Sequence, residues 1–174
     1  LGTSQKGLIR CDFDNESIDQ YMFDTKSQFD ASTNRINVIY EDSYQNFWLG
    51  TERFGLLIFD RMKEEFKWFS HNPSDPNSIS NNDIMCIYQD TSENLWIGTY
   101  GGGLNQFNYQ ENIFSHYKEK DGLPNNVVYG ILEDGSGNLW LSTNGGLSKF
   151  NPETKIFRNY NINDGLQSNE FNAG

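Results

Sequence analysis

Three aspartates recur at one position of a repeated turn, and they are the nearest approach in this sequence to a catalytic pattern. Asp42, Asp90 and Asp134 each precede a tryptophan by six residues. Carboxylates brought together in a cleft could act as general acid and base. A carboxylate present in every copy of a turn is better explained by hydrogen bonds to the amides of that turn. We therefore expect these three residues to be structural.

The other residues that could do chemistry are isolated from one another. His71 and His116 occupy different positions of the repeat, without cysteine or acidic neighbours at metal-ligand spacing. Cys11 and Cys86 lie in different copies and indicate no disulfide. The sequence contains no nucleophile elbow, phosphate-cradling loop or paired-cysteine motif. We predict no catalytic residue, no metal site and no cofactor, and we do not expect this segment to be an enzyme.

The elements that carry these residues are copies of one repeat. Trp48, Trp96 and Trp140 lie 48 and 44 residues apart, a period typical of propellers and repeat arrays. Each copy contains four short apolar runs separated by turn residues, and Asn144-Gly145 is a strong hairpin signal. Four antiparallel strands per copy describe one propeller blade. The sequence predicts an all-β fold, a partial β-propeller of about three and a half four-stranded antiparallel blades.

The copies divide residues 1–174, which we interpret as a single partial propeller segment. Leu1-Gly2-Thr3 matches Leu49-Gly50-Thr51 without the preceding tryptophan, so 1–34 is predicted to be an incomplete blade. A blade is apolar on both faces and needs neighbours, so we expect the segment to self-associate through exposed blade edges. The remaining predicted units are blades at 35–78, 79–122 and 123–165 and the start of a further blade at 166–174.

The charge of the chain argues against polyanionic partners. It has 24 acidic and 13 basic residues, a net charge of −11, and its Lys and Arg residues form no block. We therefore expect no nucleic acid and no anionic membrane surface as partner. No apolar run approaches the roughly 20 residues that span a bilayer, so this segment is expected to make no membrane contact itself. Any leader or anchor is expected to lie outside it.

Candidate binding residues lie in the loops. In an up-and-down blade the second hairpin and the connector to the next blade emerge on the same face, and loops on a rigid scaffold often carry recognition. Aromatic rings can stack on sugars, and Arg and Asn can hydrogen-bond to hydroxyl groups. Asparagines are also common turn formers, and Tyr100 could instead cover a neighbouring blade. The candidates are Arg53, Phe54, Tyr100, Asn82, Asn126 and Asn144, of which the repeat itself requires neither Arg53 nor Tyr100.

The repeat resembles the two-component regulator propeller repeat. Residues 123–150 match its pattern nearly throughout, with Ser142 in place of a glycine and one fewer glycine in the second hairpin. Residues 79–107 match almost as well, and 35–59 match less well because Glu52-Arg53-Phe54 stands where glycines are usual. The segment Gly165-Leu166-Gln167-Ser168-Asn169-Glu170-Phe171-Asn172 resembles the entry to the last blade of such a propeller.

The resemblance implies the extracytoplasmic sensor region of a hybrid two-component regulator. In that family such propellers precede a membrane helix and a histidine kinase, and the ligands are mostly oligosaccharides released from polysaccharides. We therefore expect a periplasmic segment of an inner-membrane protein that senses an oligosaccharide and signals to a kinase outside the segment. Two alternatives remain open: a protein-interaction propeller without a small ligand, and a propeller lyase or sialidase-like hydrolase.

Overall fold

A computed structural model of the chain describes residues 1–3, 7–21, 35–61 and 63–171. The rest of the predicted terminal blades, at 4–6, 22–34 and 172–174, lies outside these residues. The described residues form strands and two 3-10 helices, with no α-helix. The strands are β1 (Leu8–Asp12), β2 (Ser17–Tyr21), β3 (Ile36–Glu41), β4 (Phe47–Thr51), β5 (Leu56–Asp60), β6 (Glu65–Phe69), β7 (Ile84–Gln89), β8 (Leu95–Thr99), β9 (Gly103–Asn108), β10 (Ile113–Tyr117), β11 (Val128–Glu133), β12 (Leu139–Thr143), β13 (Gly146–Asn151) and β14 (Ile156–Tyr160), and the 3-10 helices are Glu119–Asp121 and Ile162–Asp164.

The strands form sheets whose order follows the chain. Three four-stranded antiparallel sheets have the orders β3-β4-β5-β6, β7-β8-β9-β10 and β11-β12-β13-β14, and β1 pairs with β2. The first strands β3, β7 and β11 contact one another in turn, so each sheet runs outward from an inner strand. Gly2 forms a bridge to Leu8, as a remnant of the preceding strand would. The predicted all-β partial propeller, with three complete blades and part of a fourth, is confirmed.

Tryptophan fills the space between adjacent sheets. Trp48 and Trp96 are fully buried. The ring of Trp48 lies edge-on to Phe107 of the next sheet, with 5.0 Å between ring centroids. Trp96 meets Phe150 of the following sheet in the same way at 5.6 Å. Among the described residues no sheet covers Trp140, which is only partly buried and stacks on Tyr160 at 5.4 Å. Each complete pair of sheets therefore shares a core built around one indole.

The repeated aspartate fixes that indole. Asp42 Oδ1 accepts hydrogen bonds from the backbone N–H groups of Tyr44 and Asn46, both at 2.9 Å. Its other oxygen, Oδ2, accepts the Nε1–H of Trp48 at 2.7 Å. One carboxylate thus closes the first turn of the blade and holds the tryptophan that packs on the next blade. Equivalent bonds join Asp90 to Ser92, Asn94 and Trp96, and Asp134 to Ser136, Asn138 and Trp140.

The hydrogen bonds lower the pKa of two of these carboxyl groups. Burial alone would raise the pKa of Asp42, but the donors of Trp48 and Asn46 outweigh it and the net shift is downward. For Asp134 the main cause is the Lys149 ammonium group, whose Nζ lies 2.8 Å from Oδ2. Both groups are therefore carboxylates at neutral pH, as their role as acceptors requires.

Gly98 of β8 lies too close to the inner strands β7 and β11 for any side chain to fit there. A Cβ atom there would lie 2.5 Å from Cys86 Sγ and 2.8 Å from the carbonyl oxygen of Val128 in the next sheet. Cys86 is a free thiol, and desolvation raises its pKa to about 12. A small residue at position 86 fits this crowded inner strand, and the raised pKa argues against a reactive thiolate.

Replacing Gly98 by alanine tests this close approach. We expect Gly98→Ala to reduce the free energy of unfolding by about 1–3 kcal/mol, because backbone as well as a side chain must move to admit the methyl group. Gly135→Ala is the matched control, since a Cβ there meets nothing within 4 Å. Urea unfolding followed by tryptophan fluorescence measures both. Equal stability of the two variants would contradict the packing described here.

Replacing Asp42 by asparagine tests the carboxylate that holds Trp48. Asp42→Asn removes one acceptor from a buried network, so we expect a loss of about 1–3 kcal/mol at pH 7. The folded-state pKa lies below the unfolded value of about 3.9, so the charge-dependent stabilisation is complete above that value and is lost as the pH falls through the folded-state pKa. The gap between wild type and variant should narrow when urea unfolding is repeated at pH 3.

Asp14→Asn serves as the control for Asp42→Asn. Asp14 is exposed in the turn between β1 and β2. Its replacement should leave stability unchanged at either pH. A gap for Asp42→Asn that is equally large at pH 7 and pH 3 would show that the charge of Asp42 is not what stabilises the turn.

Candidate functional site

The second hairpins and the connectors between blades meet on one side of the propeller. The N–H of Gly55 donates to the carbonyl oxygen of Asn82 at 2.7 Å, and that of Gly101 to Asn126 at 3.0 Å. This agrees with the expected common face. We call this side the loop face and define it as the hairpins 52–55, 100–102 and 144–145 with the connectors 70–83 and 118–127.

Arg53 and Tyr100 are accessible on the loop face. The Arg53 side chain is 78% exposed, and its backbone φ of 72° is unusual for a residue other than glycine. Its Nε lies 3.9 Å from Glu52 Oε1, a loose ion pair. Tyr100 is 51% exposed. Both side chains have the exposure that a ligand contact needs, and their role in binding stays a prediction.

Phe54 does not lie as expected. Its side chain is only 7% exposed, and its ring packs against Trp68 at 6.0 Å between centroids. The Nε1–H of Trp68 also donates to the Phe54 carbonyl oxygen. A ring covered in this way has no free face for a sugar, so Phe54 is removed from the candidate contacts. The exposed aromatic surface here belongs to Trp68, which is 40% exposed.

Two of the three candidate asparagines support the loops. Asn82 Oδ1 accepts the backbone N–H of His71 at 2.6 Å. Asn126 Oδ1 accepts that of Glu119 at 2.9 Å. These bonds fit the alternative role of turn formers. Asn144 is half-buried, and its side chain forms no hydrogen bond to another described residue.

Three charged residues that were not among the sequence-predicted candidates, Arg35, Glu52 and Asp83, lie at the inner ends of these loops. Arg35 and Asp83 directly precede the inner strands β3 and β7. The carbonyl oxygen of Arg35 accepts the N–H of Glu52, and that of Asp83 accepts the N–H of Tyr100, at 3.1 and 2.9 Å. We name Arg35, Glu52, Arg53, Asp83 and Tyr100 the inner-rim cluster. The repeat position before the inner strand holds Arg35, Asp83 and Val127. This variation between copies is the sequence feature that could have pointed to the inner-rim cluster.

The electrostatics of the inner-rim cluster centre on two carboxylates. Arg35 Nη1 lies 2.9 Å from Glu52 Oε2. Desolvation raises the pKa of the half-buried Asp83 carboxyl, and the nearby Glu52 charge raises it further, while Arg53 and Arg35 act in the opposite direction. Glu52 therefore has a close cationic partner, whereas Asp83 forms no ion pair with a described residue.

Open grooves also occur away from the loop face. One of about 590 Å³ is lined by Tyr44, Asn46, Arg61 and Phe66, and another of about 390 Å³ by residues including Lys155. No group of three or more His, Cys, Asp or Glu side chains in the described ranges could hold a metal ion. Within the same ranges no helix is long and apolar enough to cross a membrane.

Solved structures with a similar fold include extracellular domains. The extracellular domain of the putative hybrid two component system BT3049 from B. thetaiotaomicron has a TM-score of 0.76 and 27% identity, over 90% of this chain and 22% of that one. The extracellular domain of the putative hybrid two component system BT4673 from the same organism has a TM-score of 0.73 and 26% identity, over 94% of this chain and 23% of that one. The present chain thus spans less than a quarter of either relative.

A more distant structure shares the fold alone. Virginiamycin B lyase from Staphylococcus aureus, solved as an inactive form with quinupristin, has a TM-score of 0.62 at 15% identity, over 87% of this chain and 47% of that one. No curated protein sequence matches the chain.

A family model identifies the repeat itself. The model described as "Two component regulator propeller" matches residues 30–53, 78–101 and 122–145, each match ending in a second hairpin. These matches fall at the copies recognised from the spacing of the tryptophans. The chain therefore carries three copies of the two-component regulator propeller repeat.

Proposed function

We propose that this segment forms part of the periplasmic sensor region of a hybrid two-component regulator and that its loop face binds an oligosaccharide derived from a polysaccharide. The similarity to extracellular domains of hybrid two component systems supports the sensor role. The kinase that receives the signal would lie outside this segment.

The loop face offers the groups that sugar recognition uses. Tyr100 presents an exposed ring, and Arg53 and Asn144 can hydrogen-bond to hydroxyl groups. Tyr100 is fixed by the bond from its N–H to the carbonyl of Asp83, next to the start of β7. Polar groups held on rigid strands lose little conformational entropy when a ligand binds. The exposure of Tyr100 and Arg53 on loops held by backbone hydrogen bonds is the main support for this proposal.

The turn aspartates contribute no catalysis in this proposal. Both oxygens of Asp42 accept hydrogen bonds from its own turn or from Trp48, and Tyr109 Oη donates a further one at 3.0 Å. A general acid or base must instead reach the substrate. We therefore assign the segment binding rather than turnover.

We also propose that the 174-residue chain self-associates through the outer face of its last sheet, with a second copy as the occupant. This face carries Leu132, which is 70% exposed, together with Trp140 and Tyr160. In the two preceding sheets the equivalent tryptophans are fully buried by the next sheet. Lys149 and Arg158 lie over the rings of Trp140 and Tyr160, at 5.4 and 5.1 Å from the ring centroids, so Leu132 is the exposed apolar side chain of this face. Exposed apolar surface of this kind favours association.

Calorimetric titration tests the binding face. Purified chain is titrated with pools of oligosaccharides, and we expect Tyr100→Ala to weaken binding about three- to tenfold by removing an aromatic contact. Tyr44→Ala is the control, because Tyr44 is 54% exposed but lies in the first turn, away from the loop face. Absence of heat with any glycan, together with a retained protein partner, would instead favour an interaction propeller.

Light scattering tests the self-association. We expect the apparent mass of the wild-type chain to rise above 20.1 kDa with concentration, and Leu132→Lys to suppress that rise. Phe13→Lys is the matched control, since Phe13 is 91% exposed but lies in the turn between β1 and β2. A monodisperse monomer with native-like unfolding would overturn this proposal.

A further inference from the structure

We infer that Asp83 is a ligand contact of the loop face and that it favours uncharged, hydroxyl-rich oligosaccharides over those containing uronic acids. The inference rests on the proposed function, because it concerns the ligand class of the same face.

Asp83 has a fixed backbone and an unused carboxylate. Its N–H donates to Asn81 Oδ1 at 2.9 Å, and its carbonyl oxygen accepts the N–H of Tyr100 at 2.9 Å. The carboxylate, in contrast, accepts no hydrogen bond and forms no ion pair within the described part of the chain. Asp42 differs, since its carboxylate receives donors from its turn and from Trp48. The carboxylate of Asp83 therefore does not stabilise its own loop.

The environment of this carboxylate favours a donor from outside. Asp83 is half-buried, and the loss of water raises its pKa above the ordinary value. Part of the Asp83 side chain stays open to solvent, so hydroxyl donors of a ligand can reach the carboxylate and form charge-assisted hydrogen bonds with it. Two neighbouring sugar hydroxyls match the two oxygens of a carboxylate.

The charges around Asp83 disfavour an acidic ligand. Glu52 is close enough to Asp83 to shift its pKa, and Arg35 is held against Glu52 at 2.9 Å. Arg53 extends into solvent, where water and salt screen its charge. A uronate placed at Asp83 would meet a carboxylate that, unlike Glu52, forms no ion pair with a described residue, in a chain of net charge −11. Uncharged hydroxyl groups would carry no such repulsion.

Tyr100 completes the recognition chemistry beside Asp83. The backbone hydrogen bond between the two residues makes them neighbours in one site. That site combines an exposed aromatic ring with a free acceptor. The blade does not require Asp83, since the equivalent positions hold Arg35 and Val127. Because the fold does not need this carboxylate, and because it lies beside the exposed Tyr100, we assign it to ligand binding.

Asp83→Asn tests the inference because it keeps the shape of the side chain and removes its charge. Wild type and variant are titrated calorimetrically with two probes, neutral pentose and hexose oligosaccharides and oligogalacturonides. We expect wild type to bind the neutral probe more tightly, and Asp83→Asn to weaken that binding about tenfold. The variant should also lose most of the discrimination against oligogalacturonides.

Asp14→Asn is the matched control. It makes the same chemical change at an exposed site in the turn between β1 and β2 and should leave both affinities unchanged. Urea unfolding of the two variants confirms that each is folded.

The outcomes separate this inference from the proposed function. Neutral-glycan binding that Asp83→Asn leaves unchanged would overturn the role of Asp83 while the binding function stands. Tighter binding of oligogalacturonides by wild type would overturn the ligand class. No binding of either probe, or of any other glycan pool, would overturn the proposed function and this inference with it.

Discussion

The structure depends on the burial of one indole between each pair of neighbouring sheets. Trp48 and Trp96 are fully buried, and each meets a phenylalanine of the next sheet edge-on. An aromatic side chain of this size removes on the order of 150–250 Å² from water, so one per interface is a large share of the packing. The aspartate in the first turn gives the indole N–H a partner and so removes the cost of burying it. Turn and interface are therefore stabilised by the same carboxylate.

In each blade the first turn supports the fold, whereas the second hairpin and the connector differ in sequence from copy to copy. The first turns repeat almost identically, because each must hold its tryptophan. The second hairpins and connectors vary, from Glu52-Arg53-Phe54 to Tyr100-Gly101-Gly102, without disturbing the hydrogen bond from Thr51 or Thr99 Oγ1 to a glycine carbonyl in the hairpin. Such loops can acquire binding residues at little cost to the fold. The residues of the inner-rim cluster lie in these variable hairpins and at the ends of the connectors.

Much of the fold could be predicted because its signals are local and repeated. The spacing of Trp48, Trp96 and Trp140 and the apolar runs beside them indicated repeated four-stranded antiparallel units, and the turn role of the aspartates followed from their recurrence. The site was harder to predict, since exposure is set by packing between elements. Phe54 was a candidate ligand contact, but its ring is buried against Trp68. Asp83 was overlooked because only the structure shows that its carboxylate has no partner.

Hydrogen exchange of the indole N–H groups, followed by NMR at low protein concentration, reports whether tryptophans are sealed between neighbouring sheets. Trp48 and Trp96 are fully buried between sheets, whereas Trp140 is partly covered and Trp68 is 40% exposed. All four indole N–H groups donate hydrogen bonds, so differences in exchange between them reflect how each ring is covered. We expect the slowest exchange for Trp48 and Trp96 and faster exchange for Trp68 and Trp140. Similar rates for all four indoles would contradict it, since they would mean that no tryptophan is sealed between neighbouring blades.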